Sequence, residues 1–418
     1  MRRWRLFRGG ELGMEDSFSV KKRVLLKRIK RAWSSKVWKS FKRNSHETTH
    51  EYAESESNKA GAEEEEGAGE ESDLCLLGSQ NLQWAQGKAG EDRMHIVISE
   101  EKGWVFVGIY DGFNGPDAPD YLLSNLYINI YRGLEGLLWR VRDEQPADMK
   151  SCSHKGVLNA LAEALNKTEE GFFEDGDENP ELALMGSCVL VMLMKGEDLY
   201  LMNVGDSRAL LARTANADVC GTAKTRETIQ AASFSSACLR PIQLTIDHST
   251  YVEEEAERIR REHPDDASAI MNDRVKGYLK VTRAFGVGFL KQPKWNEQLL
   301  EMFRIHYIGT APYIICNPSL YHYRLSSRDR FLILSSDGLY QYFTNEEVVG
   351  EVDNFLLSFP DGDPAQHLVE EVLFRAAKKA GLDFHELLDV PQGERRRYHD
   401  DVSVIIISLE GRIWRSSI

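Results

Sequence analysis

No two cysteines in this chain form a C-x-x-C pair, and the 6 it has (Cys75, Cys152, Cys188, Cys220, Cys238 and Cys316) are scattered. That spacing gives neither a disulfide framework nor a zinc-binding thiolate cluster, and it fits a reducing compartment. No apolar run reaches the length of a membrane span. The N-terminus lacks the apolar core of a secretory signal. Met1 is followed by Arg2 rather than glycine, so N-myristoylation is not expected. Positive charge is in deficit: the formal net charge is -14, which argues against the whole chain binding nucleic acid. What is present suits a soluble monomer. The 418 residues, 42% hydrophobic, are enough for a sizeable core in one large domain or two ordinary ones.

The charge is unevenly placed. Residues 1–43 form a basic arm in which Lys21, Lys22, Arg23, Lys27, Arg28, Lys30 and Arg31 interleave with Leu26, Ile29, Trp33, Val37 and Phe41. Those apolar residues recur at i+3 and i+4 spacing, so a helix there would be amphipathic. Three readings stand: a solvated arm, a cationic helix on anionic membrane lipid or on a partner, and a nuclear-localisation patch. The implied location is intracellular, in nucleus or cytoplasm or at the inner face of the plasma membrane. Residues 44–77 are polar and acidic, with Glu63-Glu64-Glu65-Glu66 and Glu70-Glu71. Low hydrophobicity and like charge make this a linker. A globular part at 78–410 and a tail at 411–418 follow. Residues 214–240, rich in Ala, Thr and Ser, read as a surface insertion.

Apolar runs at 94–98, 104–110, 188–194, 199–204, 331–336 and 402–409 predict strands. Helices are predicted at 117–140, 156–173, 251–262, 345–357 and 364–381. Lys195-Gly196-Glu197-Asp198 joins two strands as an antiparallel hairpin. Strict βαβ alternation is absent, which favours a layered α+β fold over a doubly wound parallel sheet.

Two of the apolar runs end in Asp-Gly: Val105 to Tyr110 leads into Asp111-Gly112, and Phe331 to Ser336 leads into Asp337-Gly338. A third run follows Asp400-Asp401. One such copy reads as a turn. Two copies plus Asp400 point to carboxylates delivered to a hard cation such as Mg²⁺ or Mn²⁺. Gly at these points is expected to allow a sharp backbone turn and an approachable carbonyl. Glu91-Asp92 before the strand at 94–98 adds a ligand, orders water or stays an exposed loop pair. Lys88 in Gly87-Lys88-Ala89-Gly90 is a phosphate-binding point charge or a solvated lysine. Asp206 shapes a turn or reaches the metal site. Arg283 pairs with a carboxylate or meets substrate. Met14-Glu15-Asp16 resembles an acidic metal motif but precedes a basic run rather than a strand, so it is set aside.

Eight ordered motifs now carry a resemblance. They are Gly-Glu-Asp-Arg at 90–93, Val-Gly-Ile-Tyr-Asp-Gly at 107–112, Gly-Ser-Cys at 186–188 and Asn-Val-Gly-Asp-Ser-Arg-Ala at 203–209. Leu-Thr-Ile-Asp-His at 244–248, Thr-Arg-Ala-Phe-Gly at 282–286, Leu-Ser-Ser-Asp-Gly-Leu at 334–339 and His-Asp-Asp-Val-Ser-Val at 399–404 complete the series. Over roughly 78–410 the chain resembles the metal-dependent serine/threonine protein phosphatases of the 2C type. The form Asp-Gly-Phe-Asn-Gly-Pro-Asp-Ala-Pro at 111–119 resembles the plant poltergeist-like branch.

The resemblance implies a sandwich of two antiparallel β-sheets flanked by helices, with a binuclear Mn²⁺ or Mg²⁺ site at one edge. It implies that Asp111 bridges both ions, that the Gly112 carbonyl touches one, and that Asp337 and Asp400 complete the second, assisted by Glu91. Asp92 would order water, and Asp206 matches a ligand of a weaker third ion. The implied reaction is attack of a metal-bridging hydroxide on phosphoserine or phosphothreonine in proteins, receptor kinases among them. Three departures matter. Phe113 stands where the family often has a proton-donating His, a contribution of roughly 10²–10⁴ in rate. Gln341 stands where it often has Asp, which removes a ligand of the third ion. Lys88 is the only cation near the position of an expected phosphate-binding Arg, without its bidentate fork. Phe113 and Gln341 keep open the alternative of a pseudophosphatase or phosphoprotein-binding scaffold.

Overall fold

A computed structural model of the chain describes residues 5–8, 90–99, 102–138, 153–176, 179–215 and 239–409. Its strands in chain order are β1 (Arg5–Arg8), β2 (Arg93–Ser99), β3 (Trp104–Phe113), β4 (Gly186–Lys195), β5 (Asp198–Val204), β6 (Arg208–Thr214) and β7 (Leu239–Gln243). They continue with β8 (Ile270–Met271), β9 (Arg274–Val275), β10 (Phe285–Gly286), β11 (Ser319–Arg324), β12 (Asp329–Ser335) and β13 (Val404–Ser408). One sheet has the order β1-β13-β12-β6-β7. The other has the order β11-β5-β4-β3-β2, with β10 on the end of β4. All pairings within both sheets are antiparallel.

The two sheets pack face to face. Ile109, Leu190, Met192 and Leu201 of one meet Leu211, Leu332, Leu334 and Ile405 of the other in one buried cluster. Alternate residues point outward to helices. Phe106, Val191 and Tyr200 lie under the helices Asp117–Gly133 and His154–Gly176. Leu210, Ile333 and Ile406 lie under Asn345–Ser358 and Pro364–Ala380. Central strands buried on both faces explain the continuous apolar runs, which would alternate in a one-faced sheet. The architecture is the α+β sandwich expected from the motifs.

The predicted hairpin joins β4 to β5, with Lys195 opposite Asp198 and Gly196 at φ +62°. Four of the five predicted helices are present within three residues of their expected ends, while the one predicted over 117–140 ends at Gly133. Short helices at Gly288–Lys291, Pro293–Gln298 and Phe384–Asp389 had no periodic signal to announce them. Of the segment 214–240, Thr214 ends β6 and Leu239 and Arg240 open β7, while 216–238 lie outside the described residues. Also outside lie the amphipathic positions of the basic arm, Met14-Glu15-Asp16, the acidic linker, Lys88 and the tail.

Residues between β7 and β11 build a satellite core around Ile259, Val275, Phe289, Trp295 and Tyr313. A buried ion pair sits in it: Lys276 Nζ donates to Asp266 Oδ2 at 2.8 Å. Ser268 N and Oγ also donate to Asp266, at 2.9 and 2.6 Å, and Tyr313 OH donates at 2.5 Å. Burial opposes the charge, but these donors hold the Asp266 carboxyl well below its usual range. Asp266→Asn would leave Lys276 buried without its counter-charge. A loss of about 3–5 kcal/mol is expected, measured by urea unfolding of the Asp266→Asn variant against wild type.

Candidate metal centre

The two Asp-Gly copies come from different sheets. Asp111 lies near the end of β3, opposite Cys188 of β4. Asp337 opens a 3-10 turn directly after β12. Facing sheets therefore bring both carboxylates to one end of the sandwich. Burial, then the charges of Asp92, Asp337, Asp400 and Asp206, push the Asp111 carboxyl well above the usual carboxylate range. Burial and the Asp401 carboxylate push Asp92 up to about 7, against the opposing hydrogen bond from Ser403. Burial, joined by Asp247, raises Asp206 to about 6, although Cys188 Sγ donates to Asp206 Oδ1 at 3.5 Å.

The glycines act differently from the sequence expectation. Neither Gly112 nor Gly338 has positive φ, so neither is there to allow a sharp turn. Both are sites of close approach. A Cβ on Gly112 would overlap Pro119 and stand 2.7 Å from the Glu91 carbonyl oxygen. A Cβ on Gly338 would overlap the Asp401 carbonyl oxygen. The missing side chains let the segments carrying Glu91-Asp92 and Asp400-Asp401 lie against the ends of β3 and β12.

Further hydrogen bonds lock those segments. Glu91 N donates to Asp401 Oδ2 at 2.9 Å. Ser403 Oγ donates to Asp92 Oδ2 at 2.7 Å, and Ser403 N donates to Ser336 Oγ at 3.0 Å. The other oxygen of Asp92, Oδ1, is buried with no hydrogen-bond partner. An all-carboxylate oxygen set, mutual repulsion and an orphaned buried acceptor fit hard divalent cations such as Mg²⁺ or Mn²⁺.

A family profile described as protein phosphatase 2C matches residues 90–381. The chain belongs to the protein phosphatase 2C family. It is 58% identical over 413 residues to probable protein phosphatase 2C 23 of Arabidopsis thaliana, covering 83% of this chain and 63% of that one. It is 56% identical over 414 residues to protein phosphatase 2C 35 of Oryza sativa subsp. japonica, covering 81% of this chain and 64% of that one. The chain thus spans just under two thirds of these relatives' length. The crystal structure of serine-threonine phosphatase 2C from Toxoplasma gondii shares the fold, with a TM-score of 0.51 at 15% identity. That match covers 78% of this chain and 92% of the other. Protein phosphatase 2C enzymes in general depend on Mn²⁺ or Mg²⁺.

In this phosphatase 2C domain, Glu91, Asp92, Asp111, Gly112, Asp206, Asp337 and Asp400 gather at one end of the sandwich. Arg283 does not join them: it bonds the Glu255 carboxylate at 3.1 Å and the Asn317 carbonyl at 2.9 Å. Phe113 is half-buried, its ring packed where a Gly186 side chain would stand, beside the Val287 cluster. Gln341 is exposed at the last position of the 3-10 turn. Sequence reasoning missed Asp401, Ser403, Ser336 and Cys188 as neighbours of the site, although all four stand inside quoted motifs.

A separate group, His154, Asp198 and His322, has potential ligand atoms within 4.8 Å of one another. Hydrogen bonds account for it: His322 Nε2 meets Asp198 Oδ1 at 2.9 Å, and His154 Nδ1 meets Tyr200 OH at 2.9 Å. The two imidazoles stack at 3.8 Å and 15°. Lone pairs of stacked rings run parallel and do not converge on one ion.

Two predictions arise from this site. Gly338→Ala is expected to weaken Mn²⁺ binding and cost about 1–3 kcal/mol through overpacking, read by calorimetric titration and urea unfolding. The second concerns pH. Raised carboxyl pKa values mean that the folded, metal-free site holds protons the unfolded chain has released. Stability from this source is complete below the unfolded value of 3.8 and is lost as pH rises through about 7 for Asp92. In EDTA, the melting temperature of Asp92→Asn relative to wild type should therefore climb between about pH 5 and about pH 7.5. A flat difference across that range contradicts it.

Proposed function

We propose that this chain is a Mn²⁺- or Mg²⁺-dependent phosphatase acting on phosphoserine and phosphothreonine in proteins. The observation that supports this most is the convergence of aspartates from both sheets, Asp111 with Asp92, Asp337, Asp400 and Asp206, on one spot. Family membership over residues 90–381 agrees with it.

When bound, two divalent ions would supply charge neutralisation for the phosphoryl oxygens and a hydroxide nucleophile near neutral pH. Asp111, Asp337 and Asp400 would hold them, with Glu91 assisting and Asp206 suited to a weaker third ion. Asp401, by accepting from Glu91 N, sets the position of the loop that bears Glu91 and Asp92. Asp92 is held by Ser403 through Oδ2, so Oδ1 is left to accept a proton from water at the site. Phe113 supplies no proton to the leaving serine alkoxide, so that proton comes from solvent. The proposed substrates are phosphorylated proteins, receptor kinases among them, in an intracellular setting. The basic arm is proposed to meet anionic lipid.

The test is phosphate release from a phosphoserine peptide with Mn²⁺. Asp111→Asn and Asp337→Asn should each lose more than about 100-fold, the upper end for residues that merely orient ligands. Release that persists in both variants rejects the proposal. Phe113 and Gln341 favour a second reading, a phosphoprotein-binding scaffold without turnover. It predicts that wild type binds phosphopeptide while neither binding Mn²⁺ in calorimetry nor releasing phosphate.

A further inference from the structure

The segment that leads into Asp400 carries three arginines in a row. Arg395, Arg396 and Arg397 close the 3-10 turn Gln392–Arg397. Arg395 is committed to the fold. Its Nε donates to the Val390 carbonyl at 2.8 Å and its Nη2 to the Leu388 carbonyl at 2.5 Å. Those bonds serve the end of the short helix Phe384–Asp389, where carbonyls lack partners within the helix. Arg396 and Arg397 differ. Both are exposed, and among the described residues neither makes an ion pair or a side-chain hydrogen bond.

The neighbouring acids do not serve them. Glu394 is exposed and makes no ion pair among the described residues. Asp389 acts on Arg395, and Asp383 and Glu386 form the capping box of the short helix. The turn itself is well held. Tyr342 OH donates to the Tyr398 carbonyl, and Tyr398 packs against the cluster of Leu373, Ala376 and Leu387. Lys379 Nζ lies 5.2 Å from the centre of the Tyr342 ring. The exposed last turn of the helix Pro364–Ala380, with Lys378 and Lys379, is thereby brought up to Tyr398. Those lysines complement the dipole of their own helix. Arg396 and Arg397 have no such use inside the fold.

Distance sets what meets them. Asp400 raises the proton affinity of Asp111 and Asp92, so it stands at the carboxylate centre. The three residues from Arg397 to Asp400 span at most about 11 Å of chain. An extended peptide advances about 3.3–3.6 Å per residue. With its phosphoserine at the centre, residues three or four positions away lie at the distance of the arginines. Guanidinium forks take carboxylate and phosphate oxygens bidentately. This closeness to the carboxylate centre favours a substrate flank over a lipid surface.

We propose that Arg396 and Arg397, beside Lys379, form a docking surface for anionic side chains three or four positions from the phosphoserine. The proposal rests on the carboxylate centre receiving that phosphoserine, and it names the substrate class: phosphoproteins with an acidic or multiply phosphorylated flank. The test is binding of the full chain, in Mn²⁺, to two labelled peptides followed by fluorescence anisotropy. Both carry a non-hydrolysable phosphonate in place of phosphoserine. One has glutamates at the third and fourth positions on either side, and the other has glutamines there.

Wild type should bind the glutamate peptide roughly three- to tenfold more tightly, the range for two exposed ion pairs. That preference should shrink as the screening length falls from about 10 Å at 0.1 M salt to about 3 Å at 1 M. The double variant Arg396→Gln/Arg397→Gln should lose the preference and keep its melting temperature within about 2 °C. Equal binding of both peptides by wild type, binding of neither, or a preference kept in the double variant overturns the proposal. Anionic vesicle binding that falls in the double variant while the peptide preference stays assigns the arginines to lipid and overturns it too. Phosphate release from the ordinary phosphoserine peptide is a separate readout. Its absence, with the binding preference intact, rejects turnover and supports the docking surface.

Discussion

Holding several carboxylates together away from water is the constraint on which this structure turns. Burial and the charges of Asp92, Asp337, Asp400 and Asp206 raise the proton affinity of Asp111, and burial with the charge of Asp401 raises that of Asp92. Nothing in their own interaction keeps them together. The grip comes from behind, where the inter-sheet core clamps β3 against β12. It also comes from the close backbone contacts at Gly112 and Gly338. A soft framework would let the charges separate, whereas a close-packed sandwich cannot.

The same rigidity distributes charge along one strand. β12 begins beside a cluster of arginines at Asp329 and ends in the aspartate cluster at Asp337.

The satellite core between β7 and β11 relies on ion pairs at its seams. Glu255 takes Arg283 and Thr282, and Lys291 reaches Glu169 at 2.5 Å on the helix His154–Gly176. Lys291 also donates to the Ala284 carbonyl at 2.7 Å. Such pairs lose much of their Coulomb gain to desolvation. Their directionality fixes where this segment sits against the sandwich. Arg283 belongs to this fastening rather than to substrate.

Sequence alone determined the elements whose signal is local. Central strands buried on both faces read as unbroken apolar runs, and amphipathic helices read as 3.6-residue periodicity. The aspartates at strand ends were legible because Asp-Gly follows an apolar run twice. β7 and β11 were not legible, since their half-exposed residues, Leu239–Gln243 and Ser319–Arg324, alternate too weakly. Tertiary structure decided what depends on distant partners. Ser403 and Asp92 are separated by 311 residues, and Asp401 and Glu91 by 310. No local pattern encodes such pairs. Tertiary structure also showed that Gly112 and Gly338 serve proximity rather than turning, because only the packed chain reveals what a Cβ would strike. Which arginines face each other across β6 and β7 is likewise a matter of strand register, set by the core and invisible in a linear reading.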